Sequence, residues 1–259
     1  MRMQKVIFPL VVAVGFLSAL ALYGAGAGYQ SGMFELGQAF GVLTYAAIAG
    51  ISGAGLSIFY ILWQRPLGLR LAVIFLSALV GLATFYLPYR QQLLAQKLPL
   101  IHDVTTDTSN PPAFVAVAPL RAGAPNPAEY DGAEVAALQR EGYPDIRSKL
   151  FANAPQEVFA AAVKLAESSG WTLVAADQSQ GRIEATVSTR WFGFKDDVVI
   201  RIQPGTAGAS VFDMRSKSRV GLSDIGVNAA RIRSFIKTLD STLTNDTDQI
   251  KGSEIKGSE

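Results

Sequence analysis

Three uncharged apolar runs dominate the first ninety residues: Val6–Tyr23, Gly37–Trp63 and Leu71–Tyr89. At about 1.5 Å of rise per residue, each is long enough as a helix to cross a hydrocarbon core of about 30 Å. The pattern therefore predicts a membrane domain over 1–90, with transmembrane helices at about 6–23, 39–63 and 70–89. From Gln91 onward no such run recurs, and charged residues come every few positions.

Residues 91–145 predict a connector, because seven of the 12 prolines fall between Pro99 and Pro144 and favour turns and extended chain. One short helix is expected inside it, where Asp131-Gly-Ala-Glu134 has capping-box spacing and Gly142 offers a stop. Residues 146–244 predict a folded core. A weak strand within Asp145–Phe151 precedes a helix capped by Asn153, with Pro155 in its first turn and an apolar face of Val158, Phe159, Ala162, Val163 and Ala166. Four strands follow, Trp171–Ala176, Arg182–Trp191, Asp197–Gln203 and Ala209–Lys217, joined by Gly-containing turns. Asp224–Leu243 then repeats Ile225, Ala229, Ile232, Ile236, Leu239 and Leu243 as a helical stripe.

The fold class implied is α+β: three N-terminal transmembrane helices, then a domain in which an antiparallel meander packs against two helices. Alternation sorts the strand residues. Ile183, Ala185 and Val187 share one face and Arg182, Glu184, Ser188 and Arg190 the other; Phe212 and Met214 oppose Asp213, Arg215 and Lys217. A sheet of that kind is expected to leave its charged face in water. The polar tail, 245–259, repeats Ile-Lys-Gly-Ser-Glu and reads as disordered.

Charge adds direction. Residues 1–90 hold five of the 23 Lys+Arg and one of the 21 acids, so the net charge of +2 comes from the membrane flanks. Arg2, Lys5, Arg65 and Arg70 fall on one side of the three spans, while the loop Gly24–Leu36 has no Lys or Arg. Basic residues retained in the cytoplasm then put the N-terminus inside and the large domain outside. The expected location is the inner membrane, multi-pass, with a periplasmic domain. The alternative for the first run is a cleaved leader, since Tyr23-Gly-Ala-Gly-Ala-Gly28 supplies small residues, but its 18 residues exceed the usual leader core of about 7–15. Ala46, Gly50 and Ala54 allow close helix packing, within the bundle or across a dimer. No Asp, Glu, Lys, Arg or His lies inside a span, which argues against a pump or transporter. No cysteine is present, so disulfides and thiolate metal sites are excluded. The near-neutral domain argues against nucleic acid as a partner.

Two stretches carry a resemblance: Ile101-His-Asp-Val-Thr-Thr-Asp-Thr108 with Pro111-Pro-Ala-Phe114, and Asp213-Met-Arg-Ser-Lys-Ser-Arg-Val-Gly221 running into Ser223–Ile232. With Tyr143-Pro-Asp145 and Gly193-Phe-Lys-Asp-Asp-Val198, they resemble a bacterial and plastid family catalogued as domain of unknown function 1499. The resemblance covers roughly 95–243; the stretch around Ala122–Ala128 matches poorly. It implies domain extent and a membrane-anchored form, and no activity.

The strongest constellation is Arg215, Lys217 and Arg219 with Ser223, Asp224, Asn228 and Arg231, to which Arg201 is added from the meander. Cations beside a helix N-terminus suit an anion. The competing reading makes Asp224 a cap and pairs Arg215 or Arg219 with Asp213 or Asp224. His102, Asp103, Thr105, Thr106, Asp107 and Thr108 gather oxygen ligands for a hard cation but are also ordinary turn residues; no metal and no cofactor is assigned. Asp196 and Asp197 could serve acid–base chemistry, but neighbours on a strand face opposite ways. One of them is expected to pair with Arg201 or Arg190. No catalytic residue is assigned, since the sole histidine lies in the connector and no Gly-x-Ser-x-Gly elbow occurs. The leading expectation is a non-enzymatic, membrane-tethered binding or interaction module. Its partners would be the bilayer with an amphipathic or anionic small molecule, or a membrane protein. The alternatives are an envelope enzyme using an Asp/Arg cleft and a scaffold subunit of a membrane complex.

Overall fold

The structure, a computed structural model, describes the backbone of residues 2–256 and the side chains of 6–245. It divides into two units. The first comprises 1–97 with the loop 189–193, and the second comprises 98–188 and 194–259. The polar tail read as disordered lies, beyond its first residue, outside the described side chains.

In the first unit, α1 (Arg2–Gln30), α2 (Leu36–Gln64) and α3 (Gly68–Ala95) are each long and apolar enough to cross a membrane. They overrun the expected spans because polar and small residues at the ends continue the backbone hydrogen bonding. The small residues of α2 pack inside this bundle. A Cβ at Gly50 would lie 2.6 Å from the Gly81 carbonyl oxygen, and one at Gly53 would lie 2.9 Å from Val14. Such backbone approach is how helices associate where lipid provides no hydrophobic drive. The Ser77 hydroxyl adds a hydrogen bond to the Val12 carbonyl, at 3.1 Å.

The second unit is an α+β domain. Its strands are β1 (Asp103–Thr105), β2 (Lys149–Phe151), β3 (Thr172–Asp177), β4 (Arg182–Ser188), β5 (Lys195–Pro204) and β6 (Ser210–Ser218). The antiparallel order is β1-β6-β5-β4-β3, and β2 shares the outer edge of β6 with β1. The meander β3–β6 follows the expected strands, except that the one expected over Arg182–Trp191 ends at Ser188. β1 carries no readable alternation in three residues and emerges only through its pairing with β6. The helices are α4 (Ala133–Gly142), α5 (Pro155–Ser168) and α6 (Val227–Lys256).

Two caps differ from expectation. Asp131 does not cap α4, whose N-cap is Gly132 with no side-chain cap, because the Asp131 carboxylate is drawn to Lys217 at 2.7 Å. Ala154 rather than Asn153 is the N-cap of α5, and Asn153 instead reaches Glu157 at 3.2 Å. Helix α6 begins at Val227, so Ile225 precedes it, at φ +52°.

The apolar face of the sheet (Ile183, Val198, Ile200, Phe212, Met214) buries against Val158, Phe159 and Ala162 of α5 and Ala229, Ile232, Phe235 and Leu239 of α6. Rings bridge the layers: Trp171 stacks on Phe235 at 4.9 Å, Phe235 on Phe212 at 6.2 Å, and Phe151 meets Phe212 edge-on at 5.7 Å.

The opposite face corrects the expectation of a solvated charged surface. Glu184, Asp197, Asp213, Arg215 and Lys217 are all buried. The connector supplies the partners that water would have supplied: side chains of Asp103, Asp107, Arg121 and Asp131, and backbone groups between Val115 and Glu129. Buried charge persists only when paired and hydrogen-bonded.

Candidate functional site

Strand alternation decides which of the proposed residues meet. Arg215 and Arg219 stand on the connector side of β6, and Arg201 stands there on β5. Asn228 and Arg231 contact Ser216 of β6 from the helix side. The residues of the constellation therefore fall into separate groups, with Arg201, Arg215, Lys217 and Arg219 on the connector face of the sheet, Asn228 and Arg231 on the helix face, and Ser223 and Asp224 in the turn before α6.

On the connector side each cation is engaged. Arg215 forms a bidentate pair with Asp103, at 2.9 and 2.7 Å, and donates to the carbonyls of Pro112, Ala128 and Glu129. Its guanidinium lies 4.8 Å from the Phe114 ring centre and 5.4 Å from that of Tyr130. Lys217 donates to the Glu129 carbonyl and to Asp131, with Asp103 at 3.4 Å. Asp197 is the hub of a second cluster. Arg219 grips both its oxygens at 2.8 Å, Arg121 donates at 2.7 Å and the Thr186 hydroxyl at 2.7 Å. Burial pulls the Arg121 guanidinium below its usual range against the attraction of Asp197, whereas hydrogen bonds to Asp197 raise that of Arg219. Arg201 joins Asp213 at 2.7 Å to Asp107 at 3.0 Å. Asp213 also accepts from Thr106 and Ser148. Arg215 and Arg219 thus pair with Asp103 and Asp197, not with Asp213 or Asp224.

Glu184 is a functional-looking carboxylate that its strand pattern announced only as an odd charge between Ile183 and Ala185. Fully buried, it accepts the backbone N–H groups of Val115, Ala116 and Val117 at 2.9–3.1 Å, with Arg182 at 3.1 Å. Gln139, also missed, bonds both the N–H and the carbonyl of Thr105 and so ties α4 to β1.

On the helix side, Asn228 links Ser216, Ser218 and the His102 carbonyl, while Arg231 pairs with Asp196 at 2.6 Å. Asp196 and Asp197 do lie on opposite faces. Their partners are Arg231 and the Arg121–Arg219 pair, rather than Arg201 or Arg190. Around His102 and Asp107, the oxygens of Asp103 and Asp107 are held by Arg215 and Arg201, and His102 Nε2 sits 3.1 Å from Asp131. Among the described residues no group of three His, Cys, Asp or Glu side chains is placed to hold a metal ion.

Asp224 turns its carboxylate onto the start of α6, accepting from the N–H of Gly226 at 2.9 Å and of Asn228 at 2.5 Å. Asp224→Ala should lower stability by about 0.5–2 kcal/mol, the range for a lost cap, in a denaturant titration. Burial raises the Asp224 carboxyl above its usual range, with Asp196 adding to this, against the lowering by the Asn228 and Gly226 N–H groups. A folded-state value above the unfolded one means the fold favours the neutral acid. The stability of the native protein relative to Asp224→Asn should therefore grow as pH falls from 7 to about 4. A relative loss over that interval would contradict this assignment.

A family model described as Protein of unknown function (DUF1499) matches residues 103–239. That interval runs from β1 into α6 and contains both buried charge clusters. No curated protein matches the chain. The matched interval covers more than half of the sequence, and the chain belongs to the DUF1499 family.

Proposed function

We propose that this protein is anchored in the bacterial inner membrane, with its N-terminus in the cytoplasm, and that its C-terminal domain works outside as a non-enzymatic interaction module. The orientation rests on the basic residues Arg2, Lys5, Arg65 and Arg70 against a loop Gly24–Leu36 without Lys or Arg. Against the enzyme reading, Asp197, Arg201 and Asp213 are each committed to ion pairs within the fold, and Asp224 to backbone N–H groups. General acid–base chemistry needs such groups within reach of a substrate proton.

One observation favours a macromolecular partner over an enclosed small molecule. The ring series Trp171, Phe235, Phe212 and Phe151 fills the space between α6 and the sheet, where an amphipathic ligand would lie. The test is cross-linking of the full chain in native membranes, beside native mass spectrometry and thermal shifts with fatty acids, phospholipid and inorganic phosphate. One stoichiometric protein partner and no ligand-induced shift is the expected result. A co-purifying lipid, or an anion shift abolished by Arg231→Ala, would replace this reading with ligand binding.

A further inference from the structure

Helix α1 continues through Gly24, Gly26 and Gly28 to Gln30, although glycine is among the poorest helix formers. The three glycines have different surroundings. A Cβ at Gly24 would meet nothing within 4 Å. At Gly26 it would lie 2.4 Å from Cδ1 of Trp191 and 2.6 Å from the Trp191 carbonyl oxygen, and at Gly28 it would lie 2.3 Å from the Phe34 ring. Trp191, in the loop 189–193 of this same unit, donates its indole N–H to the Tyr23 carbonyl at 3.3 Å. The Gln30 amide donates to two successive carbonyls of the loop, Arg190 at 2.9 Å and Trp191 at 3.0 Å. Phe192, 6% exposed, has its ring 6.0 Å from Tyr29, 5.9 Å from Phe40 and 5.1 Å from Trp191.

We infer that Tyr23–Gln30 of α1 is a receptor for the loop 189–193, and that α1 is therefore kept as a structural helix rather than removed as a leader. The two uses of these glycines make opposite demands. A leader peptidase asks only for small residues, so alanine serves at any of the three positions. A receptor separates them. Alanine at 24 meets open space and improves the helix, whereas alanine at 26 meets a backbone carbonyl as well as the ring, and a carbonyl held by Gln30 has little room to retreat. The hydrogen bonds add direction to the shape, because the Trp191 indole N–H and the Gln30 amide each meet a backbone carbonyl across the contact.

The absence of cysteine makes the test clean. Ser31→Cys and Arg190→Cys, introduced together in the full chain and treated in native membranes with a short thiol-to-thiol cross-linker, bracket the contact without touching Gln30. Cleavage at methionine with cyanogen bromide separates 4–33 from 34–214 unless the two are cross-linked. Most molecules should keep the fragments joined. Gly24→Ala should leave the yield unchanged and Gly26→Ala should lower it several-fold. Gln30→Ala, at an exposed position, should also lower it several-fold, which gives a second reading if the Gly26 variant fails to accumulate. Intact mass should include the residues before Tyr23. A mature chain beginning within or after Gly24–Gly28, no cross-link, or equal yields for Gly24→Ala and Gly26→Ala would overturn the inference.

Discussion

Asp197→Ala is expected to lower the stability of the C-terminal domain by about 3–5 kcal/mol, the cost of leaving a buried charge without its partner. The carboxylate is fully buried and is the shared acceptor for Arg121, Arg219 and Thr186. Arg121 is almost as deeply buried and would keep the carbonyls of Asn126, Lys217 and Ser218 and the face of the Phe114 ring, with no carboxylate to pair its charge. Arg219→Ala should be milder, because Arg219 is partly exposed and Arg121 still neutralises Asp197. In a double-mutant cycle the two changes should couple, since the second removes a cation already stranded by the first. Denaturant titration of the full chain, followed through Trp171 where it stacks on Phe235, provides the measurement. A loss below about 1 kcal/mol, the range of exposed pairs, would mean that this cluster is solvated.

The second large effect belongs to Arg215. Arg215→Ala should also cost about 3–5 kcal/mol. It strands Asp103 with only Lys217 at 3.4 Å, leaves three carbonyls without this donor, and removes a cation from between Phe114 and Tyr130. Arg215→Lys should restore only part of the loss. A single ammonium cannot hold both Asp103 oxygens and the carbonyls of Pro112, Ala128 and Glu129 together. Because these contacts fix the connector to the sheet, limited proteolysis of Arg215→Ala should cut between 106 and 131 where the native chain resists. Equal resistance would show that the connector is held by other means.

Why the sequence reveals some of this and not the rest follows from where each element gets its order. The spans are written as unbroken apolar runs, and the strands Arg182–Ser188 and Ser210–Ser218 as an alternation of apolar and polar residues, so both can be read residue by residue. The connector has no period. It is fixed by backbone groups bonding to charges far along the chain, as when Val115–Val117 clasp Glu184. Alternation placed Glu184 and Arg215 on the polar face, but it could not say that another segment covers that face. The choice of Asp103 and Asp197 as the carboxylates that meet Arg215 and Arg219 depends on that covering chain, so proximity in sequence pointed to the wrong acids. Asp224 was readable because a cap is local. Grouping it with Arg215 failed because the sheet lies between them.

The shared edge of β6 bears on the order of events during synthesis. β1 is the first strand made and pairs only with β6, and Asp103 waits for Arg215, 112 positions later. β2 waits for the same strand. N-terminal segments of a nascent chain ordinarily settle first, but here β1 and β2 have no strand to pair with until β6 is complete, and before then the connector has only its contacts with Glu184 of β4 and with Asp197 and Arg201 of β5. Closing so long a loop before any contact rewards it makes the transition slow. Through that interval Asp103 and Asp131 lack the Arg215 and Lys217 cations they pair with in the finished domain, and the connector face closes only when β6 arrives.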